Sequence, residues 1–196
     1  MIEICFATNN LHKVEEVKAA LPKSIQIKTL NDIQCFEELP ETSPTLEGNS
    51  LQKALYVFEH YHFPCFADDT GLEVEALNGA PGVYSARYSG IARDSRNNIE
   101  LLLKNLQGVE NRRAQFRTVF TLVGFETEAL FFEGIVRGII SETTAGNAGF
   151  GYDPVFIPEG HSHTFAQMTL AEKNQISHRA VATRKLAEYL TAKVTG

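Results

Sequence analysis

The chain opens with Ile2-Glu3-Ile4-Cys5-Phe6-Ala7, a short apolar run, followed by the polar turn Thr8-Asn9-Asn10. From Leu11 to Leu21, Val14, Val17 and Leu21 fall on one helical stripe, and Pro22 ends it. Ile25 to Leu30 is again strand-like. Strand, turn, helix and strand in this order begin an α/β unit, which confines the fold to a sheet covered by helices.

The rest of the chain stays in this class. Residues 31–45 are irregular and acidic, whereas Leu51, Ala54, Leu55 and Phe58 repeat at i, i+3, i+4 and i+7 and predict an amphipathic helix. Phe63 to Ala67 predicts a short strand ending at Asp68-Asp69-Thr70-Gly71. A further extended piece is expected over Leu72 to Leu77, and turn chemistry from Asn78 to Gly82. Ile99, Leu102, Leu103 and Leu106 mark a helix stopped by Gly108. Apolar and polar residues alternate between Ala114 and Val123, and Leu130 to Ile140 is a second extended run, so the pair predicts a long, protruding β-hairpin. Pro154 to Ile157 reads as a strand, and Ser177 as the N-cap of a helix whose inner face is Ala182, Leu186, Tyr189 and Leu190. No repeat or linker divides the 196 residues. The expectation is one domain over 1–196, built as a large single body or as a pair of lobes on one mixed sheet.

Composition excludes several functions. No apolar run approaches the roughly 18 residues of a membrane span. Met1-Ile2-Glu3-Ile4 lacks the basic segment of a signal peptide and reads as the start of a buried strand, while three scattered cysteines fit the reducing cytoplasm. Lys and Arg total 18 against 24 Asp and Glu, a net charge of −6 that disfavours nucleic-acid binding. Local lysines can still hold one small polyanion beside a metal. Cys5, Cys35 and Cys65 are far apart with no CxxC, which argues against a disulfide framework or a zinc site.

Four segments carry possible chemistry, each with an ordinary structural reading beside it. Asp68-Asp69-Thr70-Gly71 follows an apolar strand, where open α/β sheets place ligands. Adjacent acids repel unless a cation relieves them, and Glu41 and Glu47 add oxygen donors suited to magnesium. The same four residues also make a good surface turn. Thr8-Asn9-Asn10-Leu11-His12-Lys13 sits at a strand-to-helix junction, where backbone N–H groups favour phosphate, or where a helix is simply capped. Gly146 to Pro154 holds three glycines, and its Phe150 and Tyr152 offer flat surfaces to a base or pack a hairpin exit. Lys173, His178 and Arg179 gather donors near the last helix start, suited to a carbonyl-bearing ring or to solvent. Lys53, on a helix with an apolar face, reads as solvated. Together the set suits a nucleoside triphosphate with magnesium.

Six ordered blocks carry a resemblance. They are Ala7-Thr8-Asn9-Asn10 with Lys13; Thr45-Leu46-Glu47-Gly48-Asn49 with Lys53-Ala54; Ala67 to Leu72; Gly79 to Tyr88; Gly149 to Pro154; and Glu172-Lys173 with Ser177-His178-Arg179. The chain resembles the inosine triphosphate pyrophosphatase family over nearly its whole length. The resemblance implies an elongated α/β fold, a homodimer, and magnesium-dependent cleavage of ITP, dITP or XTP to a nucleoside monophosphate and pyrophosphate. It assigns Thr8, Asn9, Asn10, Leu11, His12, Lys13 and Lys53 to the triphosphate, and Thr70 to the substrate. Asp69 becomes the proton acceptor and, with Glu41, a magnesium ligand. Phe150, Gly151, Tyr152 and Asp153 form a loop at the base, with Lys173, His178 and Arg179 reading the purine. Thr70 stands where many members have serine, and Gly48 where many have a second glutamate. A broader nucleotide pyrophosphatase, or a nucleotide sensor without hydrolysis, remain the alternatives.

Overall fold

A chain whose first strand is buried on both faces needs helices on both sides of its sheet, and the computed structural model, which describes residues 1–195, has them. The strands are β1 (Ile2–Phe6), β2 (Ile25–Lys28), β3 (Cys65–Val74), β4 (Pro81–Gly82), β5 (Arg113–Val123), β6 (Leu130–Ile140) and β7 (Phe156–Pro158). The helices are α1 (Leu11–Ala20), α2 (Leu46–Tyr61), α3 (Ser95–Asn105), α4 (Leu170–Ile176) and α5 (His178–Thr195). Among the described residues the sheet order is β2-β1-β3-β5-β6-β7, with β4 on β3. β1 runs parallel to β2 and β3, whereas β4 and β7 pair antiparallel, so the sheet is mixed. The chain divides into two units. The first holds residues 1–69, 118–134 and those from Arg179 onward; the second holds 70–117 and 135–178.

In the first unit, alternation along the strands separates two apolar clusters. Ile4, Phe6 and Phe66 pack with Val14 and Val17 of α1 and with Ala182, Leu186 and Leu190 of α5. Phe6 and Phe66 stack with ring centroids 4.4 Å apart. Cys5, Ala7, Cys65 and Ala67 pack with Ala54 and Val57 of α2. All three cysteines are unbridged, and burial pushes the Cys5 thiol up to about 12, which keeps it inert. The second unit has its own core, in which Leu72, Ile99, Leu102, Leu106, Phe116, Phe156 and Phe165 meet.

Several expected boundaries move. β3 does not end at Asp68 but continues through the acid pair to Val74, because both carboxylates are buried and satisfied rather than turned to solvent. β2 stops at Lys28, where Asp32 accepts bonds from the Thr29 amide and hydroxyl and closes a turn. α2 starts at Leu46, capped by the Thr45 side chain. It buries Asn49, Ser50, Lys53, Ala54 and Val57, while Phe58 of the expected stripe stays 36% exposed. A 3-10 turn over Asp153–Val155 precedes β7. α4 was not expected; Thr169 and Glu172 cap it reciprocally. Ser177 precedes α5 in the extended conformation of an N-cap, and Tyr189 is only half-buried.

Candidate active site

The first unit gathers three cations around its carboxylates. Lys13, in the first turn of α1, points its ammonium at Asp68, 2.8 Å from Oδ2 and 3.0 Å from Oδ1. The Asn10 side chain caps that turn by accepting from the Lys13 amide, and Thr8 Oγ1 accepts from the Asn10 amide. Asn9, Leu11 and His12 are exposed at the same junction. Arg179 Nη1 donates to Glu16, and its Nη2 lies 3.6 Å from Asp68 Oδ2. Lys53 is 6% exposed, not solvated as its helical position implied. Its ammonium donates to Glu41 Oε1 and to the Asp68 carbonyl, each at 2.6 Å.

The adjacent acids are driven in opposite directions. Burial alone would push the Asp68 carboxyl up, but Lys13, Arg179 and Lys53 outweigh it and hold the group well below the usual range. Asp69, 9% exposed, keeps a raised carboxyl because burial outweighs the help from Lys53 and from Asn49. Asn49 Nδ2 donates to Asp69 Oδ2 at 3.0 Å. Burial opposes the charge on Lys53 as well, yet Asp68, Asp69 and Glu41 raise it. For Lys13 burial prevails and the group is lowered.

The donor set suits magnesium. Glu41 and Asp69 both offer hard carboxylate oxygens, and the charge of Glu41 adds to the raising of the Asp69 carboxyl. No group of three acidic, histidine or cysteine side chains forms a metal cage among the described residues. Magnesium needs no such cage, since one or two carboxylates plus water and substrate phosphate satisfy it. Glu47 lies half-buried in the first turn of α2.

In the second unit, a single ion pair locks the glycine-aromatic loop. Lys173 of α4 donates to Asp153 Oδ2 at 2.6 Å, and the same oxygen accepts from the Phe150 amide at 2.9 Å. Gly149 has a φ of +73°, and a Cβ there would lie 2.0 Å from that oxygen, so the loop requires glycine. The Lys173 ammonium stands 5.2 Å from the Phe150 ring centroid. Phe150 and Gly151 are half-buried. Tyr152 offers no flat surface, contrary to expectation: it is buried, with its hydroxyl donating to the Ser85 carbonyl at 2.9 Å. His178 is buried and stacks on Phe116, centroids 4.7 Å apart. Thr70, half-buried in β3, begins this unit.

The three expected base readers therefore have different surroundings. Lys173 faces Asp153, His178 faces Phe116, and the Arg179 guanidinium faces Glu16 and Asp68 in the first unit. Sequence reasoning missed Glu16 and Asn49. For Asn49 a signal existed, because it is one helical turn before Lys53 and so shares its face. For Glu16 there was none, its partner lying 163 positions away.

The sequence and the fold both have counterparts among known proteins. The Ham1 family model matches residues 4–189. A dITP/XTP pyrophosphatase of Flavobacterium johnsoniae is 51% identical over 97% of this chain and 99% of that protein. Another, of Porphyromonas gingivalis, is 50% identical over 97% and 98%. Among solved structures, the Staphylococcus aureus Ham1 protein superposes with a TM-score of 0.88 at 38% identity, covering 97% of this chain and 99% of that one. A Coxiella burnetii HAM1 protein gives 0.89 at 34% identity over 98% and 100%. The chain belongs to the Ham1 family.

Proposed function

We infer that this protein hydrolyses ITP, dITP and XTP to the nucleoside monophosphate and pyrophosphate, with magnesium, and so clears these nucleotides before polymerases use them. The observation that carries the reading is the acid pair: Asp68 is paired with Lys13 and Arg179, while the adjacent Asp69 accepts from the neutral Asn49 amide beside Lys53 and Glu41. The relatives called dITP/XTP pyrophosphatases support the substrate class.

Lys13 and Lys53 bind the triphosphate together with the α1 junction from Thr8 to His12. Asp69 orients the attacking water and accepts its proton as oxygen bonds to the α-phosphorus and pyrophosphate leaves. Asp68 keeps Lys13 and Arg179 in place. Glu41 and Asp69 would hold magnesium, which neutralises charge on the phosphate oxygens when bound. The base stacks at Phe150 and meets the loop over Gly151, Tyr152 and Asp153. Lys173, beside the Phe150 ring, supplies a donor to a 6-oxo group, whereas Arg179 is committed to Glu16 and Asp68. Adenine has an amino group there, leaving the buried donor unmatched, a mismatch worth on the order of 10⁴-fold. The resemblance extends the reading to a homodimer in the cytoplasm.

The test is a panel of nucleoside triphosphates with magnesium, scored for pyrophosphate and orthophosphate. ITP and XTP should give pyrophosphate and monophosphate in equal amounts. Orthophosphate released through a diphosphate intermediate would overturn the reading, and binding without turnover would favour a nucleotide sensor.

A further inference from the structure

The side chain of Asn49 joins two segments that the proposed chemistry needs together. It is 1% exposed. Its Oδ1 accepts from the Ser43 amide at 2.8 Å, two residues after Glu41, while its Nδ2 donates to Asp69 Oδ2 at 3.0 Å. The orientation of the amide follows from chemistry: a backbone N–H can only donate, so the oxygen must face Ser43 and the NH2 group must face the carboxylate. One planar group thus fixes the rotation of Asp69 and the position of the loop that carries Glu41.

Gly48 is what lets the loop come this close. A Cβ at that position would lie 1.9 Å from Ser43 Oγ and 2.6 Å from Ser43 Cβ. A larger residue there would have to displace the Ser43 side chain, next to the amide that Asn49 holds. The glycine that stands where many relatives of the resembled family carry glutamate therefore removes an acid and leaves room for the Ser43 side chain. Gln52 also accepts from the Thr42 amide, at 3.0 Å, and donates to the Thr42 hydroxyl, at 2.8 Å. The Asn49 amide is bonded through both its oxygen and its nitrogen, to the Ser43 amide and to Asp69.

We propose that Asn49 is a positioning residue that holds Glu41 and Asp69 in register for a divalent cation, and that Gly48 is required for this. The inference rests on the metal site of the proposed function. It acts through the two carboxylates and not by touching substrate.

The test measures metal binding apart from turnover. Mn2+ stands in for magnesium at oxygen sites, and its binding to the nucleotide-free protein is read from the loss of the free-ion electron paramagnetic resonance signal. Losing such a supporting partner costs about 10–100-fold in affinity. Asn49→Ala should weaken Mn2+ binding by about 10-fold or more and lower kcat, with the KM for ITP at saturating magnesium nearly unchanged. Gly48→Ala, which breaks only the loop end and favours the helix, should weaken Mn2+ binding in the same direction by less. It carries the test if Asn49→Ala does not fold. Wild-type Mn2+ affinity in either folded variant, or a fall in melting temperature alone, would overturn the proposal while leaving the site intact. A wild-type protein that neither binds Mn2+ nor releases pyrophosphate would remove the site and the proposal together.

Discussion

The two units bury charge to different ends. In the second, one lysine meets one aspartate, and the pair is closed by the Phe150 amide; its effect is to fix the shape of a loop. In the first, Asp68 is shared by Lys13 and Arg179, and Lys53 by Glu41 and the Asp68 carbonyl, while Asp69 has an amide donor in Asn49 and a raised carboxyl. A region that recognises a flat ring gains from a closed, fully matched pair. A region that must move a proton gains from leaving one carboxylate less compensated than its neighbour.

The largest effect should come from breaking the compensated half of the acid pair. Asp68→Asn leaves Lys13 and Arg179 facing a neutral group, and removing one partner of a buried pair costs about 3–5 kcal/mol. Urea unfolding at pH 7 should show a loss of that size. The Asp68 carboxyl is held low in the fold, so its contribution is present above the unfolded value of about 3.9 and lost as pH falls through the folded value. The gap between wild type and Asp68→Asn should therefore begin to narrow below about pH 4 and close only as pH falls through the folded value. A cost under about 1 kcal/mol at pH 7 would mean that Asp68 behaves like a surface ion pair.

Asp69 should behave in the opposite sense. Its carboxyl is raised in the fold, so its stabilising contribution is greatest below the unfolded value and is lost as pH rises through the folded one. At neutral pH its charge is a net cost. Asp69→Asn in metal-free buffer should melt no lower than wild type, yet lose at least about 10²-fold in turnover. If Asp68→Asn loses turnover with stability intact while Asp69→Asn stays active, the roles of the two acids are reversed.

How much of this was legible depends on where the partners lie. β1, α1 and β2 were readable because Ile4, Val14, Val17 and Ile27 face one apolar cluster at simple periods. The strand end expected at Asp68 was wrong because local composition favours a stop there, whereas Lys13 and Lys53, 55 and 15 positions away, meet Asp68 inside a continuing strand. α2 was found but its buried face was misread, since Asn49, Ser50 and Lys53 occupy positions that an apolar stripe would fill in a helix without a site. α4 has seven residues, too few for a stripe, though Thr169 and Glu172 spelled its cap. The site residues were nameable from ordered motifs, but their pairings were not, because each joins distant segments.

The smallest effect tests the division between the units most directly. It is the ratio of kcat/KM for ITP to that for ATP, measured in wild type, Asp69→Asn and Lys173→Met. Methionine keeps the stem of Lys173 against Phe150 and Phe165 and removes its charge. Asp69→Asn should lower both substrates together and leave the ratio within about twofold, since proton transfer does not depend on the base. Lys173→Met should narrow the ratio by roughly ten-fold or more, the scale of a lost hydrogen bond from a charged donor, about 1.5–3 kcal/mol. A ratio that collapses in Asp69→Asn, or that is unchanged in Lys173→Met, would contradict the assignment of bond cleavage to the carboxylate cluster and of base choice to the loop.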